Sequence, residues 1–443
     1  MKLTLIRPNI GRLEHKFFVD EARMEPLALG ILAALTPSDV EVVMYDDRQE
    51  SIPFDEPTDL VAISVEVFTA RRAYEISAEF RKRGVPVILG GIHVTLLPDE
   101  AAQHADSIYI GDAEFLWAQA IADAQTGDLQ PIYRATGGTP QPGLLTRREI
   151  FAGKKYLPLS LMQFSRGCRF ACEFCAVSAY FDQQHHCRAI DEVVHEIQTQ
   201  SRHHLFFVDD NLLANHEAAK ALFRALIPLK IRWVSQASID MTSDPELMEL
   251  MVASGCLGNV IGFESIDAHN LAEMGKAPNL SGGTDHYAEE IEILHHHGLQ
   301  TWAAFTIGHD HDTPESIHKL LEFALNNRFT FAAFNVLMPY PGTPLYQRLQ
   351  AEDRLLFEGQ WWLHPEYRFN YAAFRPAKMS ADELTELGFH CRKEFNSVKN
   401  IIWRALEPRT NLRSLYRFAI YAMYSRLFRQ ESFKKHGMRL GLE

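Results

Sequence analysis

Short apolar, β-branched runs recur along the first part of the chain, at residues 2–7 (KLTLIR), 40–45 (VEVVMY), 59–65 (DLVAISV), 85–89 (VPVIL) and 107–110 (SIYI). Segments with apolar residues at helical spacing separate them, notably 26–35 and 70–82. Strands buried on both faces read as continuous apolar runs, and their alternation with helices predicts a parallel α/β sheet. Such sheets bind ligands beyond the carboxyl ends of their strands. The loops of interest are therefore 7–9, 64–68, 90–98 and 111–114.

After Tyr133 the stretch ATGGTPQPG lacks charge and is rich in Gly, Pro and Thr, the composition of a domain boundary. A second series follows, with strands expected at 159–164, 205–208, 232–236, 259–263, 301–306 and 331–337. Helical segments are expected between them at 190–201, 216–226, 245–253, 286–297 and 314–326. Six strand and helix units are two short of a closed eight-fold barrel, so an open, partial (β/α)6 barrel fits. The expected organisation is α/β throughout: a Rossmann-like domain over 1–135, a linker over 136–155, the partial barrel over 156–345 and a mainly helical region over 346–443. In the last of these, Leu412, Leu415, Tyr416, Ala419, Ile420, Met423 and Leu427 recur at helical spacing, and residues 401–443 hold nine Lys or Arg against three Glu. Packed on the barrel, this stripe is ordinary core; turned outward, it is a basic amphipathic helix suited to peripheral contact with a membrane or lipid.

Composition narrows the class. Of 443 residues, 47% are hydrophobic and 23% charged, an ordinary folded balance, and 44 Lys and Arg against 57 Asp and Glu leave a charge of −13. Bulk electrostatics thus argues against a nucleic-acid partner. No run approaches a membrane span, and the first residues do not read as a signal peptide, so a cytoplasmic location is expected.

Three of the six cysteines, Cys168, Cys172 and Cys175, lie within eight residues, immediately after the first strand of the second series. Thiolates on one loop suit zinc or an iron-sulfur cluster; three can hold three corners of a [4Fe-4S] cluster and leave one iron open. Zinc would need a fourth ligand, for which Cys187 with His185 and His186 is available. The CxxxCxΦC spacing, including Phe174, resembles the signature of the radical SAM superfamily. That resemblance implies a cluster on the three cysteines, S-adenosylmethionine (SAM) at the open iron, and reductive cleavage to a 5′-deoxyadenosyl radical. It also implies a flavodoxin or ferredoxin as reductant.

Each later strand of the series ends in groups that such a site requires. Asp209, Asp210 and Asn211 resemble the segment that binds the SAM ammonium group, although a helix cap equally explains Asn211. Gln236, Ser238 and Asp240 are placed to meet the carboxylate or ribose. Glu264 and Ser265, in GFES, resemble the ribose motif. Ile307 and Gly308 resemble the adenine-facing backbone, and Met338 lies in a turn-rich segment similar to one in the cobalamin-associated branch. Tyr340, His309 and Tyr180 are candidates for substrate contact or proton transfer. His295 to His297 read as partners of a helix end.

A parallel α/β domain before such a barrel resembles the cobalamin-binding domain of B12-dependent radical SAM enzymes. The resemblance rests on Gly90, Gly91, His93 and Thr95 in GGIHVTLLPDE and on Gly111 and Glu114 in GDAE. The DxHxxG sequence that supplies a cobalt-binding histidine in other cobalamin domains is absent. The implied activity is cobalamin-dependent methylation of an unactivated carbon of a small molecule or lipid. Cyclisation, rearrangement or C–C coupling on the same scaffold is the alternative. Methylthiolation of tRNA would need a second set of cysteines in the first domain, which has none. A noncatalytic sensor would not need the ordered set of SAM-facing segments.

Overall fold

The apolar runs assemble as sheets in a computed structural model that describes residues 1–12, 23–135, 138–280 and 284–442. Thr136 and Gly137 of the expected linker lie outside the described residues. The chain divides into two units, one built from 1–157, 357–369 and 437–443, the other from 158–356 and 370–436.

In the first unit the strands are β1 (Lys2–Arg7), β2 (Glu41–Asp46), β3 (Leu60–Ser64), β4 (Val87–Gly90), β5 (Ser107–Ile110) and β6 (Ile132–Arg134). All pair in parallel, in the order β2-β1-β3-β4-β5-β6. Leu3, Leu5, Leu60, Ala62 and Ile88 fill the core beneath Trp117 and Tyr133. The direction of winding reverses between β1 and β3, so their carboxyl ends flank a topological switch point. Arg7 and Glu66 form a bidentate ion pair across it, at 2.8 and 2.9 Å. Strand β6 escaped the sequence reading because it is an edge strand with only Tyr133 buried, and one inward side chain leaves no apolar run to detect. The late segment 357–369 belongs to this unit: Trp361 packs on Phe68 and the Trp362 indole donates to Glu100. The stretch 346–443, expected as one helical region, is thus shared between the two units.

The second unit contains β7 (Ser160–Met162), β8 (His204–Phe207), β9 (Arg232–Ala237), β10 (Cys256–Glu264), β11 (Trp302–Ile307) and β12 (Phe331–Val336). These run parallel and in sequence order from one edge to the other, the topology of an open (β/α)6 sheet. The crossovers are helical for local reasons. Asn215 and Asp244 cap His216–Leu226 and Pro245–Ala253, and Thr313 with Ser316 forms a capping box at Pro314–Asn326. Trp233, Phe207 and Phe223 pack between sheet and helices, and Phe263, Phe305, Phe329 and Tyr287 form a second aromatic cluster.

Helix Leu415–Lys435 corrects an expectation. Leu412, Leu415, Tyr416, Ala419 and Met423 face solvent, whereas Tyr421 and Ser425 are buried. Aromatic and polar anchors set this rotation: the Tyr421 hydroxyl donates to the Ile401 carbonyl at 2.6 Å, Arg417 donates to the Leu257 carbonyl, and Phe428 packs on Trp302 at 4.4 Å. Among the described residues no helix is long and apolar enough to cross a membrane.

Close backbone approach in the second sheet gives a test. A Cβ on Gly258 of β10 would collide with the Gln300 backbone. Gly258→Ala is expected to destabilise the fold by about 2 kcal/mol, and an unchanged urea midpoint would show that the strand relaxes freely.

Candidate active site

The root of the cysteine loop is fixed by carboxylates. Beyond β7 the chain turns at Phe164 into a short strand, Ser165–Gly167, paired antiparallel with His185–Cys187. The N–H groups at this turn need acceptors once buried. Asp209, fully buried at the end of β8, accepts from the Phe164 N–H at 3.1 Å, from the Ser165 N–H and from the Ser165 hydroxyl at 2.6 Å. Burial pushes its carboxyl up to about 6 despite these donors. Asp210 accepts from the N–H of Gly167, whose φ of +78° makes glycine the fitting residue. The two aspartates expected at an ammonium group therefore serve first as loop anchors.

Cys172 is buried, and Cys168 and Cys175 are half-buried. Burial raises the Cys172 thiol to about 11; Lys276 opposes this, while Cys175, Glu264 and Cys168 add to it. Thiols that hold one another protonated release their protons when a metal takes over their charge. Asn211 hydrogen-bonds Cys168, donates to Ser238 at 3.0 Å and accepts from the Leu213 N–H. Gln236 donates to the Asp209 carbonyl. Asp240 lies 3.7 Å from Arg169, beside a cleft of about 510 Å³ lined by Arg169, His185, Ala214, Asn215, His216 and Glu217. Among the described residues no three His, Cys, Asp or Glu side chains converge on a single-ion site. That holds for the three loop thiols by themselves as well as for the zinc alternative, in which Cys187 with His185 and His186 would supply a fourth ligand.

Opposite the loop, β10 ends at Glu264 in a left-handed conformation (φ 60°), where its register with β11 breaks. Lys276 Nζ meets one Glu264 oxygen at 2.9 Å and the Thr306 hydroxyl donates to the other at 2.7 Å. Those two contacts hold a backbone geometry that a non-glycine residue rarely adopts. Gly262 has no side chain where Glu264 and Lys276 meet. The Lys276 segment also touches the cysteine loop, since the Glu173 N–H donates to the Met274 carbonyl. The sequence reading missed Lys276, because a single lysine in EMGK carries no periodic or spacing signal.

It also missed a clamp on the loop. Arg348 bonds Glu173 at 2.9 Å and Asp310 at 2.7 Å, and Arg354 bonds Asp310 at 2.6 Å. The remaining expected residues divide. His309 is buried 6.4 Å from the Phe174 ring, with no hydrogen-bond partner at Nε2, and burial lowers its pKa. Ser265 is taken into a local turn with Asp267. Ile307 is core, and Gly308 (φ +105°) leaves room for Leu384. Met338, Tyr340 and Tyr180 are half-buried.

In the first unit the expected loop residues are largely absorbed by the sheet. A Cβ on Gly91 would strike the Val65 backbone and one on Gly111 the Ala135 carbonyl, whereas Gly90 has ordinary space. The Thr95 hydroxyl accepts from the Gly111 N–H. His93, offered for cobalamin, is fully buried and bonded to Glu100 and Tyr74 at 2.9 and 3.2 Å, so it does not project from the sheet. Glu114 is half-buried on the loop beyond β5.

Residues 162–324, from β7 to the helix before β12, match the radical SAM superfamily. The match lies wholly within the second unit. The chain is 28% identical to the bacteriochlorophyllide d C-12(1)-methyltransferase of Chlorobaculum tepidum, over 87% of its own length and 85% of the relative's. It is 26% identical to the hopanoid C-2 methylase of Rhodopseudomonas palustris, over 79% and 69%. In fold it is similar to TsrM of Kitasatospora setae, a radical SAM methyltransferase solved with cobalamin and a [4Fe-4S] cluster bound. The TM-score is 0.62, with 17% identity over 79% of this chain and 75% of that one.

The clamp makes a prediction. Arg348→Met leaves Glu173 and Asp310 without a shared cation and is expected to cost about 1–3 kcal/mol, with less iron retained per chain after anaerobic reconstitution. Iron content and thermal stability equal to those of the unaltered protein would remove Arg348 from any role in holding the loop.

Proposed function

We propose that this protein is a radical SAM enzyme, a cobalamin-dependent C-methyltransferase acting on an unactivated carbon of a small molecule or lipid. The observation that carries the radical chemistry is the juxtaposition of three thiols on an anchored loop with the Lys276–Glu264 pair. Methylation as the outcome is supported by relatives of that name across most of the chain.

Cys168, Cys172 and Cys175 are the residues that would hold a [4Fe-4S] cluster, and Lys276 offsets the negative charge they gather. Asn211, Gln236, Ser238 and Glu264 present polar atoms around the loop for SAM; Asp209 and Asp210 act through the loop they anchor. Glu264 retains lone pairs beyond its bonds to Lys276 and Thr306. Phe174 and buried His309 form the wall between the loop and β11, excluding water from that side. In the first unit, the crevice at the β1/β3 switch point is the place for cobalamin. Because His93 is committed to Glu100, the domain offers no histidine to cobalt from this loop. When bound, the cluster with SAM supplies a carbon-centred radical and cobalamin a transferable methyl group. The protein's part is to position and enclose them. A cytoplasmic setting and a flavodoxin or ferredoxin reductant accompany this reading.

The test is anaerobic reconstitution with iron, sulfide and cobalamin, followed by SAM carrying a labelled methyl group, a strong reductant and candidate substrates. The expected result is 5′-deoxyadenosine together with label on a product carbon. 5′-Deoxyadenosine without transferred label would favour cyclisation or coupling, and its complete absence would defeat the radical assignment. Cys172→Ala is expected to abolish cluster absorbance and SAM cleavage together. Lys276→Met is expected to keep the cluster but weaken SAM binding about tenfold or more, as the loss of a buried cation implies; unchanged affinity in an equilibrium binding assay would make Lys276 purely structural.

A further inference from the structure

The exposed apolar surface of the second unit is concentrated in one stretch. Of fifteen large apolar side chains exposed among the described residues, nine lie within 398–423. Val398, Ile402 and Leu406 follow one another at intervals of four along helix Val398–Ala405 and its end, and are 60, 58 and 54% exposed. On the next helix Leu415, Phe418 and Met423 are 89, 40 and 56% exposed, and the bond from Tyr421 to Ile401 joins the two helices. Single exposed leucines are ordinary, but rows on adjoining helices are not.

Charge singles out the occupant. In a chain of net charge −13, residues 398–426 hold six Lys or Arg and one Glu. That glutamate, Glu407, is buried and neutralised by Arg409 at 2.9 Å and Arg328 at 3.8 Å. Lys399, Arg413 and Arg426 are exposed around the apolar rows. A second copy of the chain would bring like charges together in a self-complementary contact. An apolar protein surface would give the cations no counterpart. A bilayer with anionic headgroups takes up both features, apolar side chains at the acyl boundary and cations at the phosphates.

We infer that this face docks the protein on an anionic lipid surface. The contact is peripheral and independent of the reaction catalysed.

The experiment is flotation of the full-length protein with vesicles of phosphatidylcholine alone or mixed with phosphatidylglycerol, at low and high salt. Binding is expected only to the mixed vesicles, and is expected to weaken with salt. L415D/M423D and K399E/R426E alter exposed side chains, so both are expected to keep the unaltered protein's melting temperature and iron content while losing at least about tenfold in bound fraction. Failure of the unaltered protein to float with the mixed vesicles, or flotation of K399E/R426E equal to it, overturns the inference. So does a dimer in light scattering that L415D/M423D turns into a monomer, which would make the face an interface between copies.

Discussion

The buried carboxylate of Asp209 is the constraint on which the site rests. An irregular loop that leaves a parallel sheet between strands exposes backbone donors to a region from which water is excluded, and each unsatisfied donor costs more than a hydrogen bond is worth in solution. Asp209 takes two such donors at once, on Phe164 and Ser165, and the Ser165 hydroxyl with them. Burial pushes its carboxyl up to about 6, so the anchor is maintained against its own desolvation. Asp210 continues the arrangement one step along, at Gly167. With the root fixed, the eight-residue span of the thiols has little freedom left, and Arg348 restrains its far side through Glu173.

A second constraint follows from collecting thiols. Burial and neighbouring sulfurs oppose ionisation of Cys168 and Cys172, and a cation without a partner in the same place would be equally costly. Lys276 meets both requirements because Glu264 supplies its counter-charge from the opposite strand end. The left-handed backbone at Glu264 and the bare Cα of Gly262 are the local consequences. The polar groups here are interdependent: moving Glu264 would release Lys276 toward the thiols, and removing Lys276 would leave a buried carboxylate held only by Thr306.

Legibility in the sequence followed the range of the interactions. Buried strands from β1 to β5 and from β7 to β12 announce themselves by apolar runs, and helices by period, as at Ala70–Lys82, or by a cap, as Asp244 at Pro245–Ala253. The half-exposed edge strand β6 does neither. Cys168, Cys172 and Cys175 were readable because their chemistry fixes a short spacing. Lys276 was not, since its pairing with Glu264 is set by how β10 ends; nor was the Glu173–Arg348–Asp310 clamp, whose members are scattered along the chain. At Asp209, His93 and Gly308 the residues were legible but their contacts within the fold were not, because packing and backbone satisfaction are encoded by no motif.

The rotation of helix Leu415–Lys435 shows the same competition on the protein's surface. Periodicity favours burial of Leu415 and Met423, yet the fold buries Tyr421 and Ser425. A tyrosine hydroxyl can donate to the Ile401 carbonyl of the preceding helix while its ring covers apolar surface, and Phe428 adds an aromatic contact to Trp302. Leucine offers only area. Once the aromatic side is committed to the sheet, the helix geometry obliges Leu415 and Met423 to face outward, and Arg426 goes with them. An apolar face turned outward for reasons internal to the fold is thereby left for something outside the chain to cover.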